Sequence, residues 1–315
     1  MKIVKLTIAG LVTLVLCLSF FYAESKRAFY MTTRCVGVAD PWYACFSRQT
    51  DFAVDFYGMK YAGNTENYID NAVLWLGAYE KPALYFLKDV IQSVYSREGV
   101  FLDLGANVGQ YSLFMSPYVN EVHAFEPYPP VLERLEKNIN LNKIRNIVIH
   151  PVGIGDKKES LPFFKPPGSN LGTGSFIEGE QPENSPYKKL QIVIGDEELE
   201  ESKIGRVAII KMDIEGYERF ALHGLAKTLR TSRPVVFFEM SSTRDNPHAI
   251  KNRQDLESLF PPDYQFAGFD FTKENMATGH YKLLNIDGYI RFDSADSLYV
   301  VAYPAELENR IPRKN

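Results

Sequence analysis

Cysteine is scarce, net charge is small and no internal repeat is visible in this chain. Three cysteines in 315 residues are too few to fix a redox compartment. Cys17 falls in an apolar run, whereas Cys35 and Cys45 flank a turn at Asp40-Pro41 that can bring them together. A disulfide and two free thiols both stay open for that pair. A formal charge of −4 and a pI near 5.8 supply no clustered basic field, so nucleic acid is not expected as a partner. With 45% hydrophobic and 23% charged residues, the chain is neither disordered nor a multi-span membrane protein. Its length suits one large domain with additions.

One segment departs from this ordinary composition. Ile8 to Tyr22 is apolar throughout and lies between Lys2/Lys5 and Lys26/Arg27. It is apolar on every face, which a surface helix of a soluble domain is not. A cleaved signal peptide needs small residues before the cut, and a cut after Ala23 would leave Phe21 in the way. The reading is an uncleaved single-pass anchor over residues 1–25. If Lys5 snorkels, the apolar length approaches the ~20 residues a spanning helix needs. Basic residues on both flanks leave its orientation undecided, and with it a lumenal or cytosolic location for the body. An aromatic-rich extension follows over residues 26–98, with helical spacing at Asn71 to Leu76 and Ala83 to Tyr95.

Beyond Gly99 strand-like and helix-like segments alternate. Val100–Leu104, Glu121–Phe125, Asn146–Val152, Leu190–Ile194, Arg206–Met212 and Pro234–Met240 read as strands. Gln110–Tyr118, Pro130–Asn142 and Tyr217–Arg230 read as helices. Near-continuous apolar strands separated by helices predict an α/β domain, a doubly wound and mostly parallel sheet covered on both faces. Tyr264–Phe271 and Ser297–Ala302 are aromatic-rich candidates for an antiparallel finish. The aromatics after Asp263 are better read as core than as a sugar platform. The domain is assigned to residues 99–305, with a tail over 306–315.

In a doubly wound sheet the ligand lies beyond the carboxyl ends of the strands, near the first strand-to-helix turn. Here that turn is Asp103 to Gln110 within "VFLDLGANVGQYSLF". Glu126 ends the next strand, about 20 residues after the first glycine, the distance at which such folds bind a ribose diol. A nicotinamide dinucleotide needs a bare middle glycine for its pyrophosphate, and Asn107 stands there instead. S-adenosylmethionine carries a ribose but no phosphate, so the turn fits it better. In that reading Asp103 meets the ammonium, turn N–H groups the carboxylate and Glu126 the ribose. Asp103 lies inside an apolar strand, where an idle carboxylate is costly.

The stretches "FLDLGANVGQYSLF", "FEPYP", "NINLN", "VGIGD", "IIKMDIEGYERFALHGL" and "VVFFE" occur in an order and spacing that resemble the FkbM-type methyltransferases, a class I, Rossmann-like group dependent on S-adenosylmethionine. The resemblance covers roughly Val100 to Met240. It implies cofactor contacts at Asp103, Gly105, Asn107, Gly109 and Glu126, with Asp156 near the adenine; Asp156 reads equally well as a turn residue in "GDKK". It also implies a hydroxyl acceptor on a sugar, glycolipid or other small natural product. "VIGDEEL" departs from the family's usual stretch and leaves the role of Asp196 open.

Methyl transfer to oxygen gains from a base or metal near the methyl group. "KMDIEGYE" and "FFEM" end two buried strands and offer Lys211, Asp213, Glu215 and Glu239. Residues two apart on a strand face the same way, so Lys211 and Asp213 share a face. Asp213 alternatively caps the following helix, Glu215 complements its dipole and Lys211 forms an ion pair. Asp213 and Glu239 could hold a divalent ion, but the sequence offers no clear third ligand, so no metal is assigned. His248 follows the fifth strand and is a candidate base, whereas His123 is read as structural. Pro166 to Phe176 is a glycine-rich lid candidate or a plain surface loop. Two further readings stay open: a nicotinamide or nucleotide-sugar oxidoreductase, and a catalytically silent membrane-tethered binding module.

Overall fold

The computed structural model describes residues 50–166, 171–178, 186–240, 248–270, 278–289 and 298–313. The anchor segment and all three cysteines lie outside these residues, as does part of the lid candidate. Among the described residues no helix is long and apolar enough to cross a membrane.

The described part of the extension, from residue 50, includes a hairpin, a correction to the purely helical expectation. β1 (Asp51–Phe56) and β2 (Met59–Asn64) pair antiparallel, with Phe56 opposite Met59. Tyr57 and Gly58 form the tip at φ 53° and 85°, the positive pair that a two-residue hairpin turn requires. Two helices follow as expected. Helix α1 (Tyr68–Leu76) is capped by the Asn67 side chain and stopped by Gly77 at φ 88°. Helix α2 (Lys81–Ser93) starts with Pro82 in its first turn.

The domain then runs β3 (Val100–Leu104), α3 (Gln110–Met115), β4 (Glu121–Phe125), α4 (Pro129–Asn142) and β5 (Ile147–His150). Next come β6 (Gly153–Gly155), β7 (Glu159–Phe164), β8 (Pro186–Ile194) and α5 (Gly195–Glu201). β9 (Val207–Met212), α6 (Glu218–Gly224), α7 (Ala226–Thr231), β10 (Val235–Met240), α8 (Arg253–Ser258), β11 (Tyr264–Phe269), β12 (Leu283–Asn285) and β13 (Leu298–Pro304) complete it. The main sheet has the order β12-β11-β13-β10-β9-β3-β4-β5. Its β10-β9-β3-β4-β5 portion is parallel, and the pairs involving β11, β12 and β13 are antiparallel. Every residue of β3 and β9 is buried, as expected for strands covered on both faces.

Two features were not foreseen. β6, β7 and β8 form a separate three-stranded sheet, so the segment read as one isolated strand belongs to a flanking layer. The helix expected over Tyr217–Arg230 is split between Gly224 and Ala226. A side chain at Gly224 would come 1.8 Å from the Gly155 carbonyl, so the break lets the helix press on β6.

The extension is fastened to the domain by asparagines. Asn142 Oδ1 accepts from Lys60 N at 2.7 Å while its Nδ2 donates to the Lys60 carbonyl at 2.7 Å. Asn138 Oδ1 accepts from Ala62 N at 2.8 Å, and its Nδ2 donates to the Val108 carbonyl at 3.1 Å. The two amides, one helical turn apart on α4, thus pair with the edge of β2 as a strand would. Beside them the fully buried Asp70 accepts from the Tyr61 hydroxyl at 2.6 Å and from Asn64 N at 2.7 Å, and pairs with Arg134.

Candidate active site

Strand order reverses about β3, which has β4 on one side and β9 on the other, and the crevice at their carboxyl ends is the natural ligand position. A cleft of about 310 Å³ opens there. Gly105 leaves β3 at φ 74°, and a Cβ on it would lie 1.9 Å from the Asp213 carbonyl oxygen. Only glycine permits that approach, which sets Asp213 directly beside the turn. Asn107 follows at φ 51°, its Oδ1 accepting from Val108 N at 2.8 Å. Gly109, at φ 89°, opens α3 against Leu135, where a Cβ would meet Cδ1 at 2.5 Å.

Glu126 is tied to this turn. Its Oε2 accepts from Asn107 N at 3.0 Å and its Oε1 from Tyr128 N at 2.9 Å. Burial pushes its carboxyl up to about 7, against the pull of these two amides and of Lys211. Gly105, Asn107 and Glu126 all line the cleft, and the aromatic rings of Tyr128, Phe163, Phe176 and Tyr217 wall it. Gly172 lies so close over Asn107 that a Cβ would meet Nδ2 at 1.9 Å, so the described part of the lid candidate rests on the glycine turn.

Asp103 does not line the cleft. It is fully buried beneath it, with Oδ2 accepting from Ser112 Oγ at 2.6 Å and Oδ1 facing Lys211 Nζ at 3.8 Å. Burial raises its pKa while Lys211 lowers it. The structure therefore separates Asp103 from the position in which it would touch a cofactor ammonium, and makes it part of the polar floor. Lys211 occupies that floor too, buried to 3% exposure. Its Nζ donates to the Gly105 carbonyl at 2.9 Å and stands 3.6 Å from Asp213 Oδ2. Burial lowers the lysine pKa, but Asp213, Asp103, Glu80 and Glu239 together outweigh it and raise the pKa overall. The shared face expected for Lys211 and Asp213 is present.

Asp213, Glu215 and Glu239 each offer a carboxylate oxygen within 4.8 Å of the others. Glu215, a sequence candidate for the site but not for a third ligand, supplies the third carboxylate because its φ of 53° and the 92° of Gly216 fold the chain back after β9. Asp213 is not the N-cap of α6: that position is Tyr217, with no side-chain cap hydrogen bond, while Glu218 Oε1 accepts from the loop amides Ile214 N at 3.1 Å and Gly216 N at 3.3 Å. Burial pushes Glu218 up to about 7.

Other sequence candidates fall elsewhere. His248 does not line the cleft; it is exposed, with its ring against Phe220 at 4.8 Å and its carbonyl accepting from Arg219 Nε at 2.9 Å. Chain proximity to β10 does not carry it into the crevice. Asp156 follows β6 and also stays off the cleft lining; burial raises the Tyr217 hydroxyl pKa, with Glu159 and then Asp156 adding to it. Asp196 takes Lys227 N at 2.7 Å and Thr228 N at 2.8 Å, and so caps α7. His123 is buried and pairs with His150 at 2.9 Å, a structural placement. Tyr264, Phe266, Phe269 and Tyr281 are core, while Phe271 lies outside the described residues.

Near the cleft carboxylates lie residues that sequence reasoning missed. Glu80, at the start of α2, is buried and accepts from Tyr111 Oη and Tyr299 Oη, both at 2.6 Å. Tyr79 and Tyr299 line the cleft, and Tyr79 is held by reciprocal hydrogen bonds of its backbone with the Gln110 amide at 2.6 and 2.9 Å. No local motif marks these residues, since 219 positions separate Glu80 from Tyr299.

The chain is 26% identical over 140 residues to the hexuronic acid methyltransferase AglP of Haloferax volcanii, covering 44% of this chain and 55% of that protein. It is 26% identical over 148 residues to methyltransferase 1 of Beauveria bassiana, covering 41% and 59%. The chain thus spans little more than half the length of the curated relatives it matches. Among solved structures, the FkbM methyltransferase of Methylobacillus flagellatus KT aligns with a TM-score of 0.42 and 18% identity, over 66% of this chain and 44% of that one. The methyltransferase FkbM domain itself matches residues 103–271, more than half of the sequence, and the chain belongs to the FkbM methyltransferase family.

Proposed function

We propose that this protein is an S-adenosylmethionine-dependent O-methyltransferase acting on a hydroxyl of a sugar, glycolipid or related small molecule. The observation that carries the reading is that the Gly105–Asn107–Glu126 cradle lines one cleft together with Asp213 and Glu239. The residues present fit the cofactor. Glu126 is a buried carboxylate at the cleft wall, suited to a ribose diol. Asn107 under Gly172 leaves little room for the pyrophosphate of a dinucleotide.

When bound, the cofactor supplies an electrophilic methyl group on a sulfonium. The chain's own part is positional and electrostatic. Glu126 and the turn fix orientation, which accounts for much of the rate of a bimolecular displacement. In this reading Asp213 accepts the proton of the acceptor hydroxyl, and Lys211 Nζ, 3.6 Å from its Oδ2, orients it. The aromatic wall of Tyr128, Phe163, Phe176 and Tyr217 excludes water. The archaeal relative's name points to a sugar acid as its acceptor and supports a sugar-like acceptor class here. The apolar run from Ile8 to Tyr22 supports membrane attachment of the whole protein.

Calorimetric titration with S-adenosylhomocysteine and, separately, NAD tests the cofactor. Binding of the first alone is expected, and binding of NAD alone would return the oxidoreductase reading. Transfer of labelled methyl to a glycan panel tests catalysis against a silent binding module.

A further inference from the structure

We infer that Ser175 is a positioning residue for cofactor binding: its hydroxyl latches residues 171–177 to the turn after β9 and so sets the Phe176 ring in the aromatic wall of the cleft. The inference rests on the methyl-transfer reading and goes beyond it by giving the described part of the lid candidate a role. Leu171, Gly172, Thr173, Gly174 and Phe176 line the same cleft as Gly105, Asn107 and Glu126. Ser175, between the last two of the five, does not line it and is 1% exposed. Its N donates to the Phe164 carbonyl at 3.1 Å and its carbonyl accepts from Phe164 N at 2.8 Å, a bridge to the end of β7. Its Oγ donates to the Glu215 carbonyl at 2.7 Å and accepts from Ile177 N at 2.9 Å. One buried hydroxyl thus ties the segment to the turn after β9, while its backbone holds β7, a strand of the other sheet.

What the latch holds in place is a ring. Phe176 packs edge-on against Phe163, with centroids 5.2 Å apart, and tilted against Tyr217 at 5.6 Å. β6 makes room for both neighbours with glycine: a Cβ on Gly153 would meet Phe176 Cε2 at 2.9 Å, and one on Gly155 would meet Tyr217 Cε1 at 3.0 Å. From Phe163 the wall continues into Tyr128, stacked on it at 5.1 Å, and Tyr128 N donates to Glu126 Oε1 at 2.9 Å. The carboxylate assigned to the ribose and the Phe176 ring are therefore linked by direct contacts. The planar adenine that S-adenosylmethionine carries on that ribose suits an aromatic wall. Gly172 and Gly174 make the segment costly to order, since glycine loses the most backbone freedom. A hydrogen bond that orders it before the ligand arrives lowers the cost of binding.

The test uses the purified full chain in detergent, with S-adenosylhomocysteine as the probe in calorimetry. Ser175→Ala is expected to weaken binding about tenfold, the effect of one buried hydrogen bond. Ser175→Cys fills the same space with a weak donor, should lose affinity likewise, and decides the matter where Ser175→Ala does not fold. A latch that acts through the ring has little left to position once the ring is gone. In a Phe176→Ala background the same Ser175 substitution should therefore add less than about twofold, whereas a merely structural loss would add its full factor in both backgrounds. Unchanged affinity in the folded Ser175 variant, or full additivity with Phe176→Ala, overturns the inference and leaves the cofactor reading standing. A wild-type chain that does not bind S-adenosylhomocysteine overturns the proposed function and this inference with it.

Discussion

Glu80 and Tyr299 meet at 2.6 Å, joining the start of α2 to the last strand, and both lie outside the stretch matched to the family domain. Tyr111 completes the contact from α3. Part of the cleft's polar surround thus comes from parts of the chain that the family match does not cover. Substituting Glu80→Gln keeps the volume but forces one tyrosine hydroxyl to face an amide donor. Burial raises the Glu80 pKa, and Asp213 adds to it. A loss of about 1–3 kcal/mol in unfolding free energy is expected, as for a buried group left unsatisfied. S-adenosylhomocysteine affinity should hardly change, because Glu80 is buried and does not line the cleft. Denaturant unfolding beside calorimetry checks both halves.

Asp213→Asn should abolish most turnover without unfolding the protein. Asp213 does not cap α6, whose N-cap is Tyr217 with no side-chain cap hydrogen bond. What the substitution removes is the charge 3.6 Å from Lys211. General base catalysis contributes about 10²–10⁴-fold, so a loss of roughly a hundredfold at saturating cofactor is expected. Cofactor affinity and melting temperature, measured alongside, should stay near wild type. Near-normal turnover would move attention to Glu239.

Glu126 and Glu218 make stability pH-dependent in one window. Each is buried and pushed up to about 7 from the usual carboxylate range, so folding favours the protonated form. Their contribution is fully present below about pH 4.5 and is lost as pH rises through about 7. The ligand-free protein should melt at progressively lower temperature across that interval. Glu218→Gln keeps an acceptor for Ile214 N and Gly216 N and should flatten part of the slope. An identical slope in that variant would count against the assignment. Cofactor affinity should move in the opposite direction, tightening as Glu126 ionises, because a carboxylate accepts more hydrogen bonds from a diol than its acid does.

Asp196 marks the contrast with a site residue. Its carboxylate takes Lys227 N, Thr228 N and the Thr228 hydroxyl at 2.7, 2.8 and 2.6 Å, all at the start of α7. Asp196→Ala should cost about 0.5–2 kcal/mol of stability, the range for a lost N-cap, and Asp196→Asn much less. Cofactor binding should be untouched in both, which a titration of each variant would show.

Sequence alone determined the parts of this protein that rest on local chemistry. The buried strands β3, β9 and β10 are apolar runs of five or six residues, and the Gly105 turn announces itself by residue type. Glu126 was legible because one strand and one helix separate it from that turn, a fixed distance in this fold. The β1–β2 hairpin was missed because its alternation is short and half-exposed, and the flanking sheet because β7 has no clean two-residue period. Tertiary structure alone decided which polar groups face the cleft. Asp103, one residue before the end of its strand, turns to the floor, where Ser112 donates to its Oδ2 and the Lys211 charge stands 3.8 Å from its Oδ1. His248 is near β10 in the chain yet packs on α6. Glu80 and Tyr299 acquire their meaning from a contact across 219 residues, which no local pattern encodes; it exists because the asparagines of α4 and the buried Asp70 dock the extension where its polar groups find partners.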